Sequence, residues 1–493
     1  MAQFEYDSLV VGGGAAGLTA SGISANFGCK TLMIEVHRLG GDCTWTGCIP
    51  SKTLLKAGHI ARNIRKASEF GLSDTEPQID FKKVIRHVHS VREEVYEDAD
   101  RPEIYEEMGI DVEFGKASFL DKHTILIEKE DGKKREVTAR YIFIATGSSP
   151  SVPAIPGLDE VDFLTSESLF ETDHFPQKLI IIGGGPIGVE MAQAFSDLGS
   201  EVTILEAQDR ILQKDDPEVT DILEKVMIRD GIKIMRSVDI KEVARNKDGV
   251  GIKISVEGKE QEIEGDRLFI ATGRQPNVES LGLDKAGIQY SEKGIQINES
   301  CRTNISNIYA IGDVTGAYQF THMSEHVAKI ATTKALVKLP MKIDRKHVPW
   351  VTYTTPQVAH LGAREEDLKA SGKKFEVYRF PYTKIDRALA ENETEGLIKI
   401  FATKWTGKIL GVSIAGKHAG ELISEFAMAM KNGISLRNMA DTIHPYPAWA
   451  LGARRAADQW YIKNQSEWSV KLIRNIFGYS GDIPDYSDPD RVV

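Results

Sequence analysis

One pattern occurs twice in this chain and restricts its fold more than any other. Tyr6-Asp-Ser-Leu-Val-Val is a short apolar run that leads into Gly12-Gly-Gly-Ala-Ala-Gly17, then a helical stretch, Leu18 to Phe27, then a second apolar run from Thr31 that ends at Glu35. Lys178-Leu-Ile-Ile-Ile leads in the same way into Gly183-Gly-Gly-Pro-Ile-Gly188, a helical stretch to about Leu198, and Glu201-Val-Thr-Ile-Leu before Glu206. First glycine and acid stand 23 residues apart in both units. Strand, glycine turn, helix and acid in this register form a dinucleotide-binding unit. Gly12 makes the tight turn, Gly14 lets the backbone approach a pyrophosphate, Gly17 lets the helix pack closely, and Glu35 accepts the ribose hydroxyls. Gly183, Gly185, Gly188 and Glu206 repeat those roles. Each unit closes on a strand ending in Ala-Thr-Gly, at Thr146-Gly147 and at Thr272-Gly273. A repeat at this level predicts two separate dinucleotide sites.

Two of the four cysteines stand in Gly40-Gly-Asp-Cys-Thr-Trp-Thr-Gly-Cys-Ile-Pro-Ser-Lys52. Thiols at this spacing can close a disulfide if the chain between them is irregular or begins a helix, and Gly47 and Pro50 suit that. Proline fits a helix's first turn, so a helix is expected from near Ile49. Cys48 then lies at the positive end of its dipole, where a thiol ionises more readily. Taken alone, the pair also fits two reduced, buried cysteines with no role; a zinc site has no second Cys or His cluster nearby to complete it. Two dinucleotide units around one dithiol point instead to a relay from nucleotide to nucleotide to sulfur.

A net charge of -11 argues against nucleic acid or an anionic membrane as the main partner. No apolar run reaches the roughly 18 residues of a membrane span, and Met-Ala-Gln-Phe-Glu-Tyr-Asp enters a strand without a basic leader. The cytoplasm or an equivalent reducing compartment is expected. Cys29 and Cys301 read as ordinary core residues.

Pro150, Pro153, Pro156 and Gly157 mark a linker between the units. Residues 53–110 read as a surface helical pair, and Gly115-Lys-Ala117 precedes alternating strands. The apolar run Asn307-Ile-Tyr-Ala-Ile-Gly-Asp313 presents a carboxylate at a strand's C-terminal end, where open α/β sheets bind ligands; an Asp there also serves as a turn or helix cap. From about Val348 alternating strands give way to amphipathic helices. The fold class is α/β, with two Rossmann-like dinucleotide-binding domains and a C-terminal α+β domain. The divisions are 1–155 with the cysteine pair, 156–280 for the second unit, 281–347 returning to the first domain, 348–475 for the C-terminal domain and 476–493 for an acidic tail.

The cysteine motif and the two units together resemble the class I flavoprotein disulfide reductases, which include dihydrolipoamide dehydrogenase, glutathione reductase and mercuric reductase. The likeness extends to about residue 465. It implies FAD on the first unit, NAD(P)H on the second, a homodimer formed by the C-terminal domain, and no resident metal. The implied FAD set is Gly12, Gly14, Gly17, Glu35, Gly41, Lys52, Ala117, Thr146, Gly147 and Asp313, the last on the ribityl chain. The implied nicotinamide-nucleotide set is Gly183, Gly185, Ile187, Gly188, Glu206 and Gly273. Lys52 is placed near flavin N5 and paired with Glu190. Hydride passes from nicotinamide to flavin and on to Cys48, Cys43 attacks the substrate disulfide, and His444 of the partner subunit acts as acid and base. Glu206, followed by Ala207 and Gln208, favours NADH over NADPH, with Arg210 close in sequence.

Two positions depart from that family. Trp449 in His444-Pro-Tyr-Pro-Ala-Trp449 stands where dihydrolipoamide dehydrogenase and glutathione reductase have a Glu for the imidazole. An indole only donates, so, unless a backbone carbonyl substitutes, His444 is expected to be a weaker base and dithiol oxidation to be impaired. Thr44-Trp45-Thr46 places a bulky residue between the cysteines. Trp45, Tyr446 and Trp449 either line an aromatic substrate channel or pack in the dimer core. The reading is an FAD-dependent NAD(P)H:disulfide oxidoreductase, dihydrolipoamide dehydrogenase-like. Its alternatives are a mercuric reductase-like metal-ion reductase without the C-terminal cysteine pair, since no cysteine follows Cys301, and a non-enzymatic flavin- and NADH-binding redox sensor or assembly component.

Overall fold

Five of the six residues of the strand Tyr6–Val11 are buried, as in a strand covered on both faces. It pairs in parallel with Thr31–Glu35 and with the C-terminal half of the long strand Lys134–Ile144. Ile110–Phe114 and Ile308–Ala310 extend the parallel sheet on either side. The N-terminal half of Lys134–Ile144 pairs instead with the antiparallel strand Thr124–Glu128, which carries Lys116–Phe119. The second glycine turn follows Lys178–Ile182, a strand lying in parallel between Glu201–Leu205 and Arg267–Ile270. Both turns thus emerge at the C-terminal end of a central parallel strand, where ligands of open sheets bind.

The structure is a computed structural model that describes residues 4–247 and 249–483. Contacts divide it into two units, the described residues of Met1–Ala207 with Met235–Ile343 and those of Gln208–Ile234 with Asp344–Val493. In the second unit a five-stranded antiparallel sheet runs in the order Pro349–Thr352, Gln357–Gly362, Ile409–Gly416, Leu397–Ala402, Glu376–Pro381. Every residue of Ile409–Gly416 is buried. Helices Ala419–Lys431, Leu436–Asp441 and Ala450–Asn464 contribute Phe426, Leu436, Ala453 and Ala457 to the core of that sheet. A further helix, Glu467–Phe477, closes the stretch expected as the C-terminal domain and runs two residues into the one expected as tail, of which residues 484–493 lie outside the described residues. No helix among the described residues is long and apolar enough to cross a membrane.

The second unit holds a buried lysine. Lys399 is 1% exposed and donates to Asp216 at 2.8 Å, Glu218 at 2.7 Å and Glu365 at 2.7 Å. Asp216 caps the helix Pro217–Arg229 by accepting from the Glu218 backbone N–H. The Arg379 fork beside Glu218 holds that carboxyl down to about 2. Lys399→Met leaves the buried Asp216 without a counter-charge, while Glu218 keeps Arg379 and Glu365 keeps Lys369. We expect it to lower stability by about 3–5 kcal/mol, read as a fall in the denaturation midpoint; an unchanged midpoint would show the cluster to be energetically neutral.

Candidate active site

The two glycine turns match atom for atom. A Cβ on Gly12 would stand 2.3 Å from the Ala145 carbonyl oxygen, and one on Gly183 would stand 2.4 Å from that of Ala271. A Cβ on Gly17 or Gly188 would lie 1.8 or 2.0 Å from the carbonyl oxygen of Gly12 or Gly183. Only glycine allows these approaches. Glu35 accepts from the Gly13 N–H at 2.6 Å, and Glu206 accepts from the Gly184 N–H at 2.6 Å. Gly14 and Gly185 begin the helices Ala15–Asn26 and Pro186–Asp197 with no side-chain cap. A Cβ at Gly185 meets nothing within 4 Å, and one at Gly14 meets only Gly41 Cα at 3.6 Å. Uncapped N–H groups over open space are what a pyrophosphate takes, so these residues fit FAD at the first turn and NAD(P)H at the second. Ile187 is half-buried in the first turn of the second helix, and Ala117 packs in the core of the first sheet.

The cysteine segment docks directly on the first turn. Gly40 N–H donates to the Gly13 carbonyl at 2.9 Å, and Gly41, with φ +57°, would push a Cβ to 2.7 Å from Gly14 Cα. Bare backbone therefore meets bare backbone. Cys43 lies in the short helix Gly41–Trp45, and Cys48 is the first residue of the helix Cys48–Arg65, which begins one residue before the expected start. Both are free thiols, Cys43 half-buried and Cys48 exposed. The hydrogen bond from the Cys43 thiol, with help from the Thr321 hydroxyl at 3.5 Å and the Lys52 charge, outweighs burial and brings Cys48 down to about 6. The same bond, with burial, pushes Cys43 up. Of the two sulfurs, Cys48 is the one whose surroundings favour the thiolate. Lys52 is one turn along from Cys48 and donates to Glu190 Oε2 at 2.7 Å.

Above the turn, Asp313 accepts from Ser148 Oγ at 2.8 Å, Ser148 Oγ accepts from Arg274 Nε at 2.8 Å, and Arg274 pairs with Asp42. Burial pushes the Asp313 carboxyl up. The Ala-Thr-Gly end is clamped by a residue the sequence reading missed. Asn277 donates to the Thr146 carbonyl at 2.9 Å and to the Gly147 carbonyl at 3.0 Å, and its own carbonyl accepts from Thr146 Oγ1 at 2.8 Å. Gly273 takes φ +125° at the equivalent place of the second unit.

In the second unit His444 has the carboxylate that the Trp449 position denies it. Its Nε2 lies 2.8 Å from Glu425 Oε1, on the helix Ala419–Lys431, and its Nδ1 lies 2.9 Å from the Thr442 carbonyl. Both partners are acceptors, one a carboxylate and the other a backbone carbonyl. The expectation of an unsupported His444 is therefore corrected. Trp449 packs against Tyr382 and His418, with ring centroids 5.6 and 5.5 Å apart, at the edge of the C-terminal core. Trp45 donates to the Leu39 carbonyl at 2.8 Å and packs against Tyr96 under the Arg38 guanidinium. Both indoles are thus engaged within their own units, whereas Tyr446 is 69% exposed. Cys301 is buried, but Cys29 is only half-buried in the turn after Ala15–Asn26, which corrects its reading as a core residue.

Comparison with known proteins agrees with this geometry. Residues 6–329 match the family described as pyridine nucleotide-disulphide oxidoreductase, and residues 348–456 match the dimerisation domain of the same family. The chain is 35% identical to the mercuric reductase of Staphylococcus aureus over 458 residues, covering 92% of this chain and 82% of that protein. It is 33% identical to a dihydrolipoyl dehydrogenase of Bacillus subtilis over 466 residues, covering 92% and 97%. Among solved structures, the Cu(II) complex of the HOCl-induced flavoprotein disulfide reductase RclA from Escherichia coli superimposes with a TM-score of 0.82 at 29% identity, covering 93% of this chain and all of that one.

Proposed function

The chain belongs to the pyridine nucleotide-disulphide oxidoreductases, FAD-dependent enzymes that use NAD(P)H, and from that premise we propose that it reduces a disulfide with NADH at the Cys43–Cys48 pair. The balanced reaction is NADH + H⁺ + RSSR → NAD⁺ + 2 RSH. FAD, when bound, supplies the two-electron link between nicotinamide and sulfur. The observation that carries the reading is the placement of the dithiol: its segment docks on the first glycine turn, and Cys48 begins the helix Cys48–Arg65 with the Thr321 hydroxyl at 3.5 Å and Lys52 one turn along. That setting favours the thiolate on Cys48 and the proton on Cys43. The flavin is assigned to Gly12, Gly14, Gly17, Glu35, Gly41, Lys52, Ala117, Thr146, Gly147 and Asp313. Residues 1–155 and 281–347 bind it, 156–280 bind the nicotinamide nucleotide, and 348–475 join the dimer. His444 of the partner subunit serves as acid and base. A reducing compartment such as the cytoplasm suits a pair that works by returning to the dithiol.

Glu206 supports NADH as the preferred donor, since a carboxylate held beside Gly184 accepts ribose hydroxyls and repels a 2′-phosphate. The Arg210 guanidinium donates to the Gln213 carbonyl at 2.8 Å. We expect NADH to saturate at roughly tenfold lower concentration than NADPH, a difference of about 1.4 kcal/mol; the reverse order in steady-state kinetics would overturn the assignment.

The relatives named mercuric reductase favour one second reading, in which the same pair reduces a thiophilic metal ion. No cysteine follows Cys301 to deliver one. NADH oxidation measured with lipoamide, glutathione disulfide, Hg(II) and Cu(II) separates the two. Fastest turnover on a disulfide supports the proposal, and turnover confined to the metal ions overturns it.

A further inference from the structure

The short helix Gly41–Trp45 buries one residue, Thr44, and three charged side chains hold it. Arg274 pairs with Asp42, Asp100 accepts from Thr44 Oγ1 at 2.6 Å, and Arg92 donates to the Trp45 carbonyl at 2.8 Å. Cys43 stands among the three residues so held. Arg274 is also engaged by Ser148, and Arg92 by Glu171 at 2.7 Å. Asp100 is different. It is 7% exposed, no cation among the described residues pairs with it, and the Thr44 hydroxyl is its one hydrogen-bond partner among them.

Burying a carboxylate without a counter-charge is costly, and the fold makes specific room for this one. Asp100 ends a single π-helical turn, Tyr96–Asp100, a backbone form that recurs at functional sites. Gly40, with φ +98°, lies against it, and a Cβ there would come within 2.5 Å of Asp100 Oδ2. The carboxylate is thereby brought under the segment that carries Cys43.

We propose that Asp100 is a positioning residue of the dithiol: it fixes Cys43 through Thr44, and its buried negative charge keeps the shared proton on Cys43 and the thiolate on Cys48. The inference rests on the reading of Cys43 and Cys48 as a redox pair. A hydride equivalent from NADH, two electrons and one proton, converts the disulfide to one thiol and one thiolate, and the Asp100 charge adds to the Cys48 hydrogen bond and burial in keeping the proton on Cys43. The groups facing the pair are few. Asp100 disfavours negative charge on Cys43, the Thr321 hydroxyl favours it on either sulfur, and the Lys52 ammonium favours it on Cys48 against Glu190. Burial pushes the Asp100 carboxyl itself up, and the Thr44 hydrogen bond opposes that push. Tyr105, beside Asp100, is pushed up to about 12 by burial and by that carboxylate, so it stays neutral.

The test uses the flavin-loaded protein reduced anaerobically by two electrons. Alkylation of Cys43 by iodoacetamide is timed by peptide mass, and the long-wavelength thiolate absorbance band is followed against pH. Asp100→Asn keeps an acceptor for Thr44 and removes the charge. It is expected to speed Cys43 alkylation at pH 7 by about tenfold and to shift the band's pH profile. Thr44→Val withdraws the hydrogen bond that favours the ionised carboxylate and is expected to act in the same direction; Thr44→Ser restores it and should match the wild type. Alkylation within twofold of wild type in both Asp100→Asn and Thr44→Val would overturn the role of Asp100. A wild-type protein with no thiolate band would instead overturn the redox-pair reading beneath it.

Discussion

Cys43→Ser is expected to lower NADH-driven disulfide reduction by about a thousandfold or more, because no other thiol among the described residues shares its helix or its contact with Cys48. Flavin binding should survive, since Gly12, Gly14, Gly17 and Glu35 hold their geometry without the thiol. Cys48→Ser is expected to cost as much by a different route. In Cys43→Ser the Cys48 thiolate persists beside Lys52, so the long-wavelength band should be present before any reductant is added. In Cys48→Ser the band should be absent at every stage. Equal spectra for the two variants would contradict the division of labour between the sulfurs.

The second large effect belongs to the C-terminal unit. His444→Gln is expected to slow turnover by about 10²- to 10⁴-fold, the usual contribution of a positioned acid and base. Glu425→Gln removes the charge but not the acceptor at 2.8 Å from Nε2, and about a 10-fold loss is expected, the lower end for a residue that orients another. Trp449→Phe, by contrast, should change activity little, because the indole packs on Tyr382 and His418 at the edge of the C-terminal core. With Glu425 in place, dihydrolipoamide oxidation should be no more impaired than lipoamide reduction. A Glu425→Gln variant with wild-type rates in both directions would show the imidazole to be supported by the Thr442 carbonyl alone.

The parts of this fold that could be read from the sequence are those set by local geometry. Gly12, Gly17, Gly183 and Gly188 are positions where any Cβ collides with backbone oxygen, so the residue type carries the conformation. The strands around them are apolar on both faces and declare themselves. The helices Ala450–Asn464 and Glu467–Phe477 were less legible. The first buries Leu451 and Gln459 but otherwise only the small residues Gly452, Ala453, Ala456 and Ala457, a weak hydrophobic signal, and the second buries none of its residues. Lys399 in Leu-Ile-Lys-Ile-Phe resembles the exposed member of an alternating strand, yet its ammonium is buried by carboxylates from residues 216–218 and 365.

At the candidate site the difference is one of sequence distance. The pairing of Lys52 with Glu190 was stated from the resemblance to a family and could not have come from spacing, since 138 residues separate them. Glu425 lies 19 residues before His444, on the helix Ala419–Lys431, while His444 stands in the loop after Leu436–Asp441, so a motif read locally meets Trp449 and no carboxylate. Asp100 lies 56 residues from Thr44, in a π turn that no periodicity marks. Asn277 reaches back 131 residues to Thr146. Each missed residue is polar and partners another across a turn or between elements.

The most direct test of the account is an anaerobic titration of the flavin-loaded protein with NADH. A long-wavelength thiolate band is expected to reach its maximum at one equivalent of NADH and to be discharged when a disulfide acceptor is added. Bleaching of the flavin with no such band at any point would show that Cys43 and Cys48 do not take the electrons, and would contradict the account at its centre.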